Sequence, residues 1–374
     1  MDSGGEFSAE TGTRRGAAPG TLNTLLRPAV YATAPRQPVW LPRVSSTLFP
    51  RMPSVALAPF RLALIGVLAA VLVLVNVPVS GPLGVLSVIG WPLLFLIYVW
   101  QSDAFRDIPI RILAVAAVLG VALGVGWWLA AAKIVAGSYG VSTGAGQALL
   151  GDALNVGLLV SLGGGVMMLI PAFVTRLFPV PDRESLDGFV VGAFGALWCS
   201  TAASTTILAP QFAEGLMTQR SPGRLLEDSI TYGIVNAVVT TAAGGLVGLA
   251  LWFTPRDGSG RARRAVIGCA VLGALSYAAL WWVDSLGVSR VVDLAGKTVV
   301  AVLALLAVRA GVQIALLHER PDPARDTPIL CVHCATVVPD APFCVSCGAA
   351  GRASSRTSRR RRREHPPVLV SGPD

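Results

Sequence analysis

The feature that most constrains this chain of 374 residues is a series of eight apolar runs, each close to the length of a bilayer-spanning helix. They are Leu62–Val79, Leu83–Trp100, Ile110–Ala132, Leu154–Phe173, Gly188–Leu208, Ile230–Phe253, Ala265–Val283 and Thr298–Leu317. Gly90 and Pro92 interrupt the second. Only 14% of residues are charged and 53% are hydrophobic. Soluble domains carry about 25% charged residues, so this chain is short of the polar surface that a water-soluble fold needs. The expected fold class is an all-α polytopic membrane bundle of eight helices, occupying residues 56–318.

The flanks differ in kind. Residues 1–55 are rich in Pro, Ser, Thr, Gly and Arg without hydrophobic periodicity and read as disordered. Met52 offers an alternative start, and the Arg-rich, acid-poor composition also fits a transit peptide. The first apolar run begins at Leu62, too late for a signal peptide. The Gly-rich stretch 134–153 reads as a partly re-entrant loop. Trp100, Trp127, Trp128, Trp252, Trp281 and Trp282 stand near run ends, where interfacial aromatics belong.

Basic residues set the expected orientation. With a cytoplasmic N-terminus, the cytoplasmic connections carry Arg106, Arg111, Arg176, Arg183, Arg256, Arg261, Arg263 and Arg264. The other side carries Lys133, Arg220, Arg224, Arg290 and Lys297. Eight crossings then return the C-terminus to the cytoplasm, and the expected location is the cell membrane. Gly120 with Gly124, Gly188 with Gly192, and Gly244 with Gly248 form small-xxx-small pairs that let helix backbones approach closely.

Beyond a linker at 319–328, residues 329–350 contain "CVHC" and "FCVSCG". Cys331, Cys334, Cys344 and Cys347 have the spacing of a four-thiolate zinc site, two sulfurs from each Cys-x-x-Cys turn. Gly348 suits the tight turn after the last cysteine. The unit resembles the short zinc ribbons appended to bacterial proteins. A reducing cytoplasmic face disfavours the alternative of two disulfides. A closed shell of four thiolates leaves no open position for water, so the expected zinc is structural, supplying folding energy to a docking module. His333, inside the first knuckle, reads as an exposed side chain. Cys199 and Cys269 lie singly in apolar runs and read as small hydrophobes.

Residues 351–374 contain Arg359, Arg360, Arg361, Arg362 and Arg363 in succession. A block of like charges is expected to stay solvated and disordered. Contact with anionic lipid, nucleic-acid binding, or a mere orientation signal are the open readings. No aromatic interleaves the arginines, so no single-strand stacking platform is present.

Charges inside a bilayer are by default functional. None of the eight runs contains Asp, Glu or His in its interior, and Arg309, two turns from a helix end, is placed to snorkel. Uncharged polar residues cluster instead in "WCSTAASTT" (Trp198 to Thr206) and "YGIVNAVVTTAAGG" (Tyr232 to Gly245). Asn236 and Thr240 share a helix face. These groups either bond between helices or line a path for a polar substrate.

The stretch from Glu184 to Ser204, followed by Tyr232 to Gly248, resembles PrsW-type intramembrane metalloproteases, through Asp187, Gly188, Gly192, Ala193 and the Gly233 to Gly244 segment. The resemblance covers about residues 155–250. It implies metal ligands and a water-activating base on these helices. This chain departs from the family there: the family's glutamate after its "GLGF" element falls at Ala203, its histidine at Asn236, and its "EExxK" element at Gly164, Gly165 and Met168. The resemblance therefore implies a bundle without the protease chemistry, and no catalytic residue is assigned. The expectation is a non-catalytic membrane protein, in lipid, whose ribbon docks a cytoplasmic protein. The alternatives are a transporter or channel lined by the polar residues of runs five and six, an active metalloprotease with other ligands, and a membrane-tethered nucleic-acid binder.

Overall fold

A computed structural model describes residues 58–75, 80–101, 107–139, 148–179, 183–213, 229–256, 260–285, 289–320, 328–331, 334 and 336–364. Each of the eight apolar runs contributes a helix among the described residues. They form α1 (Ala58–Val75), α2 (Ser80–Gln101), α3 (Ile110–Tyr139), α4 (Ala148–Leu177), α5 (Ser185–Ala213), α6 (Asn236–Trp252), α7 (Gly260–Ser285) and α8 (Arg290–His318). A π-helical turn, Ser229–Val235, runs directly into α6. Helices α3 to α8 are each long and apolar enough to cross a membrane. In α1 and α2 the apolar stretches are shorter, Pro59–Leu74 and Ile89–Val99 among the described residues. The chain is thus a mostly helical membrane protein with six clear candidate spans.

Two boundaries differ from expectation. Residues 134–139 continue α3 and 148–153 open α4, so both ends of the stretch expected as a re-entrant loop are helical, and 140–147 lie outside the described residues. Helix α8 begins at Arg290, two turns before its apolar run. Asp293 and Lys297, four apart, form an ion pair there (Oδ2 to Nζ, 2.8 Å) that lets the helix carry a buried lysine. The expected disorder of 1–55 falls outside the described residues.

Helix α5 is the centre of the bundle, and glycines set how closely its neighbours approach. A Cβ at Gly192 would lie 2.2 Å from the Gly244 carbonyl oxygen, and one at Gly248 would lie 2.0 Å from that of Gly188. The pairs Gly188/Gly192 and Gly244/Gly248 therefore face each other across an antiparallel α5–α6 contact. On another side, Gly120 and Gly124 of α3 meet the carbonyl oxygens of Gly195 and Cys199, so α3 and α5 run parallel. Such approach maximises dispersion contact in lipid, where burial of apolar surface between helices gains little. Leu246 of α6, fully buried, fits against Gly273 of α7 and Gly311 of α8.

One end of the bundle carries a small appended module. It contains a two-stranded antiparallel hairpin, β1 (Ile329–Leu330) with β2 (Val337–Val338), in which Ile329 pairs with Val338 and Leu330 with Val337. A short helix follows, α9 (Arg356–Glu364). Phe343 and Ala350 of the module belong to the same buried cluster as Phe253 and Leu316 of the bundle.

Candidate metal centre and bundle cavity

The four knuckle cysteines converge. Their sulfurs lie within 4.8 Å of one another, with Cys331 to Cys347 at 3.7 Å and Cys334 to Cys344 at 3.8 Å. A tetrahedron with metal–sulfur bonds of about 2.3 Å has an edge of about 3.8 Å, so the spacing fits a four-thiolate ion. Disulfide sulfurs would stand about 2.05 Å apart. The backbone explains the convergence. Cys331 N–H donates to Thr336 O at 2.9 Å, closing the first knuckle, and Gly348 N–H donates to Cys344 O at 2.9 Å, closing the second. Gly348 has φ 71°, the left-handed region that favours glycine. Burial pushes the Cys344 thiol up, whereas at Cys334 burial is outweighed by the hydrogen bonds of Thr336, Cys331 and Cys347 together, which bring the thiol down. His333 lies outside the described residues.

The arginine run corrects an expectation. Residues 356–364 form α9 instead of a solvated tail, while 365–374 lie outside the described residues. Alone, nine residues with arginines three and four apart would not hold a helix in water. Acidic groups far away in sequence supply what is missing. Asp107, just before α3, accepts the Thr357 N–H at 2.9 Å and the Thr357 hydroxyl, capping the helix N-terminus. Ser355 caps it locally, accepting the Ser358 N–H at 3.3 Å. Arg359, 4% exposed, bonds both carboxylate oxygens of Glu184, which precedes α5, and the carbonyls of Arg352 and Ser354. Arg356 reaches the same carboxylate at 3.2 Å. On its other side α9 holds the hairpin: Arg362 donates to Leu330 O at 2.8 Å, and Arg363 pairs with Asp340. Arg360 and Arg361 point to solvent.

Two further groups tie the helix ends together. Glu319, following α8, accepts the Ser185 N–H (2.7 Å) and hydroxyl (2.8 Å) at the start of α5. Arg352 donates to the carbonyls of Leu316 (3.4 Å) and Glu319 (3.2 Å), groups that the end of α8 leaves unpaired. Burial, and then the charge of Glu184, raise Glu319 from an ordinary 4.5 to about 7. Asp107, Glu184 and Glu319 were not singled out from sequence. The available signal was their position at the same helix ends as the arginine run.

A second site lies deeper in the bundle. A cavity of about 60 Å³ is lined by Gly124, Trp127 and Trp128 of α3, Gly164, Met167 and Met168 of α4, Cys199, Ser200, Ala203 and Ser204 of α5, Asn236 and Thr240 of α6, and Tyr277 and Trp281 of α7, among others. It thus collects the three positions Gly164, Ala203 and Asn236 from three helices. Its α5 residues lie 14 to 22 positions beyond Ser185, about 20–33 Å along the helix from the module. Among the described residues, no Asp, Glu, Lys, Arg or His lines it. Asn236 donates to Ser200 Oγ at 3.2 Å, and the hydroxyl of Thr240 returns to Asn236 O at 2.7 Å.

The run Gly163–Gly164–Gly165 explains the aromatic wall. A Cβ at Gly163 would lie 2.0 Å from the Trp127 indole, and one at Gly164 would lie 3.0 Å from the Tyr277 hydroxyl. Three glycines, each costing about 1 kcal/mol in a helix relative to alanine, let two rings lie against the α4 backbone. Trp127 is held there by its N–H on Val160 O at 3.1 Å. Trp127, Trp128 and Trp281 are therefore cavity walls, and Trp252 is buried beside Gly188. Among the described tryptophans of that set, Trp282, 56% exposed, keeps the open position expected of an interfacial ring, and the Trp100 side chain lies outside the described residues.

No family model, curated protein or solved structure matches this chain.

Proposed function

We propose that this chain is a non-catalytic integral membrane protein of eight crossings, a PrsW-like bundle that lacks the protease ligands, with a structural zinc ribbon on its cytoplasmic end. The observation that carries this reading is the shared cavity of Gly164, Ala203 and Asn236. Ligands of one ion must lie about 2 Å from it, so their backbones must gather around one spot. These three positions line one cavity, yet they bear glycine, alanine and asparagine, and among the described residues the lining has no carboxylate or imidazole to hold a catalytic metal and activate water. Both termini are assigned to the cytoplasm because the arginine-rich connections fall on the side of the module. Four thiolates in a tetrahedron suit zinc, which would be held by Cys331, Cys334, Cys344 and Cys347 and would supply folding energy there.

The test is reconstitution in proteoliposomes with a model transmembrane substrate. The reading predicts no cleavage with or without added metal. Cleavage that a chelator abolishes contradicts it.

The same cavity supports a second reading. Ser200, Ser204, Asn236 and Thr240 give it a hydrogen-bonding wall without any charge, which suits the passage of a small uncharged solute. Solute flux lowered by Asn236→Ala, with the fold retained, would favour a transporter or channel over a silent bundle. Nucleic acid and anionic lipid have little of the arginine run left to bind, since Arg359, Arg362 and Arg363 are engaged inside the protein.

A further inference from the structure

The ribbon has been read above as a protein-docking module, and its contacts identify a partner. We propose that the end of the bundle carrying the carboxylates of Asp107 and Glu184 is the docking surface for the chain's own C-terminal module, and that the metal in the ribbon controls whether the module stays docked. This rests on the ribbon reading and is independent of the protease resemblance.

Helix α9 is held from two sides. The bundle offers the carboxylates of Asp107 and Glu184. The ribbon offers Leu330 O, next to Cys331, and the carboxylate of Asp340, four residues before Cys344. The ribbon's own anchors on the bundle are Phe343, Ala350 and Arg352, all within eight residues of Cys344. Apart from the bonds of Arg359 and Arg362 to Ser354, these contacts belong to segments whose shape the cysteines close. So small a unit folds only when the thiolates share an ion. Without it the hairpin acceptors disperse, and α9 keeps its like-charged face with half of its partners. A helix of nine residues carrying six arginines does not persist under those conditions. Metal loss thus uncovers two surfaces together: a free arginine segment and an acidic bundle end. The tether through 321–327 keeps the module at high effective concentration, so redocking is expected when metal returns.

Amide hydrogen exchange on the full-length protein in nanodiscs tests this. With zinc bound, amides of 356–364 are expected to exchange at least tenfold slower than after treatment with a chelator, and zinc is expected to restore protection. Two variants, Asp107→Asn and Glu184→Gln, should lose protection of α9 while each retains one zinc per chain. Arg361→Gln, at an exposed position, should change nothing. Protection of α9 that survives chelation, or that survives both acidic substitutions, overturns the proposal. A protein that binds no zinc at all would instead overturn the ribbon reading, so the two failures are distinguishable.

Discussion

Arg359 and Glu184 stand 175 positions apart, yet they form a two-pronged ion pair that joins the last helix of the chain to the start of the central one. Arg359 is 4% exposed, and its remaining donors reach the carbonyls of Arg352 and Ser354. A desolvated pair of this kind is costly to break from one side because the surviving charge is stranded. Glu184→Leu or Arg359→Leu alone should destabilise the docked end by about 3–5 kcal/mol. The double replacement should cost much less than the sum of the two. A double-mutant cycle on denaturant unfolding in detergent measures the difference, and additive costs would remove the pair from the account.

The glycine seam makes a second prediction. Gly192→Ala and Gly248→Ala place a methyl 2.2 Å and 2.0 Å from a carbonyl oxygen of the facing helix. Neither backbone can give way cheaply, so each should cost 1–3 kcal/mol or more. Gly268→Ala on α7 meets nothing within 4 Å and should be neutral or stabilising by up to about 1 kcal/mol. Thermal unfolding of the three variants side by side decides it.

The buried carboxyl of Glu319 predicts a pH dependence. Its proton is held more tightly in the folded protein, where it titrates at about 7 against an ordinary 4.5. The stability it contributes is therefore fully present below about 4.5 and is lost as pH rises through about 7. Glu184 and Arg359 are the charged groups acting on it, the first raising and the second lowering its value. Melting temperature should fall between pH 5 and 8, and Glu319→Gln should flatten that fall. An unchanged slope in the variant would assign the effect elsewhere.

Introducing the ligands that the proposed PrsW likeness implies tests the cavity. Gly164→Glu, Ala203→Glu and Asn236→His together should create a second divalent metal site, giving two ions per chain. Even a Cβ at Gly164 would stand 3.0 Å from the Tyr277 hydroxyl and 3.4 Å from the Trp127 indole nitrogen, so both rings must shift for the glutamate to enter. A triple variant that folds but still binds one ion would show that the three positions share a cavity without sharing the geometry of a metal site.

Much of this was legible beforehand. Hydropathy and length located the six helices long and apolar enough to span, because a bilayer allows few alternatives to a long apolar helix, and placed two shorter apolar helices before them. The cysteine spacing located the four-thiol cluster that could hold a metal ion. The small-xxx-small pairs marked contact faces but not their partners. That Gly192 meets Gly244 while Gly124 meets Cys199 depends on how the helices are arranged, which no local pattern carries. The arginine helix was hidden for the same reason. Local rules make 356–364 a solvated run, and they are overruled by Asp107 and Glu184, brought close only by the bundle. The three glycines of α4 looked like a weak helix. Their purpose emerges only once Trp127 and Tyr277 lie against them.

The most direct test of the central claim is a metal count on the purified full-length protein and on its Cys331→Ser/Cys344→Ser variant. The account places one ion in the ribbon and none in the bundle cavity. It predicts one zinc per chain in the first protein and none in the second. An ion that survives removal of the cysteines would contradict it, placing a metal in the bundle and returning the chain to the active metalloproteases.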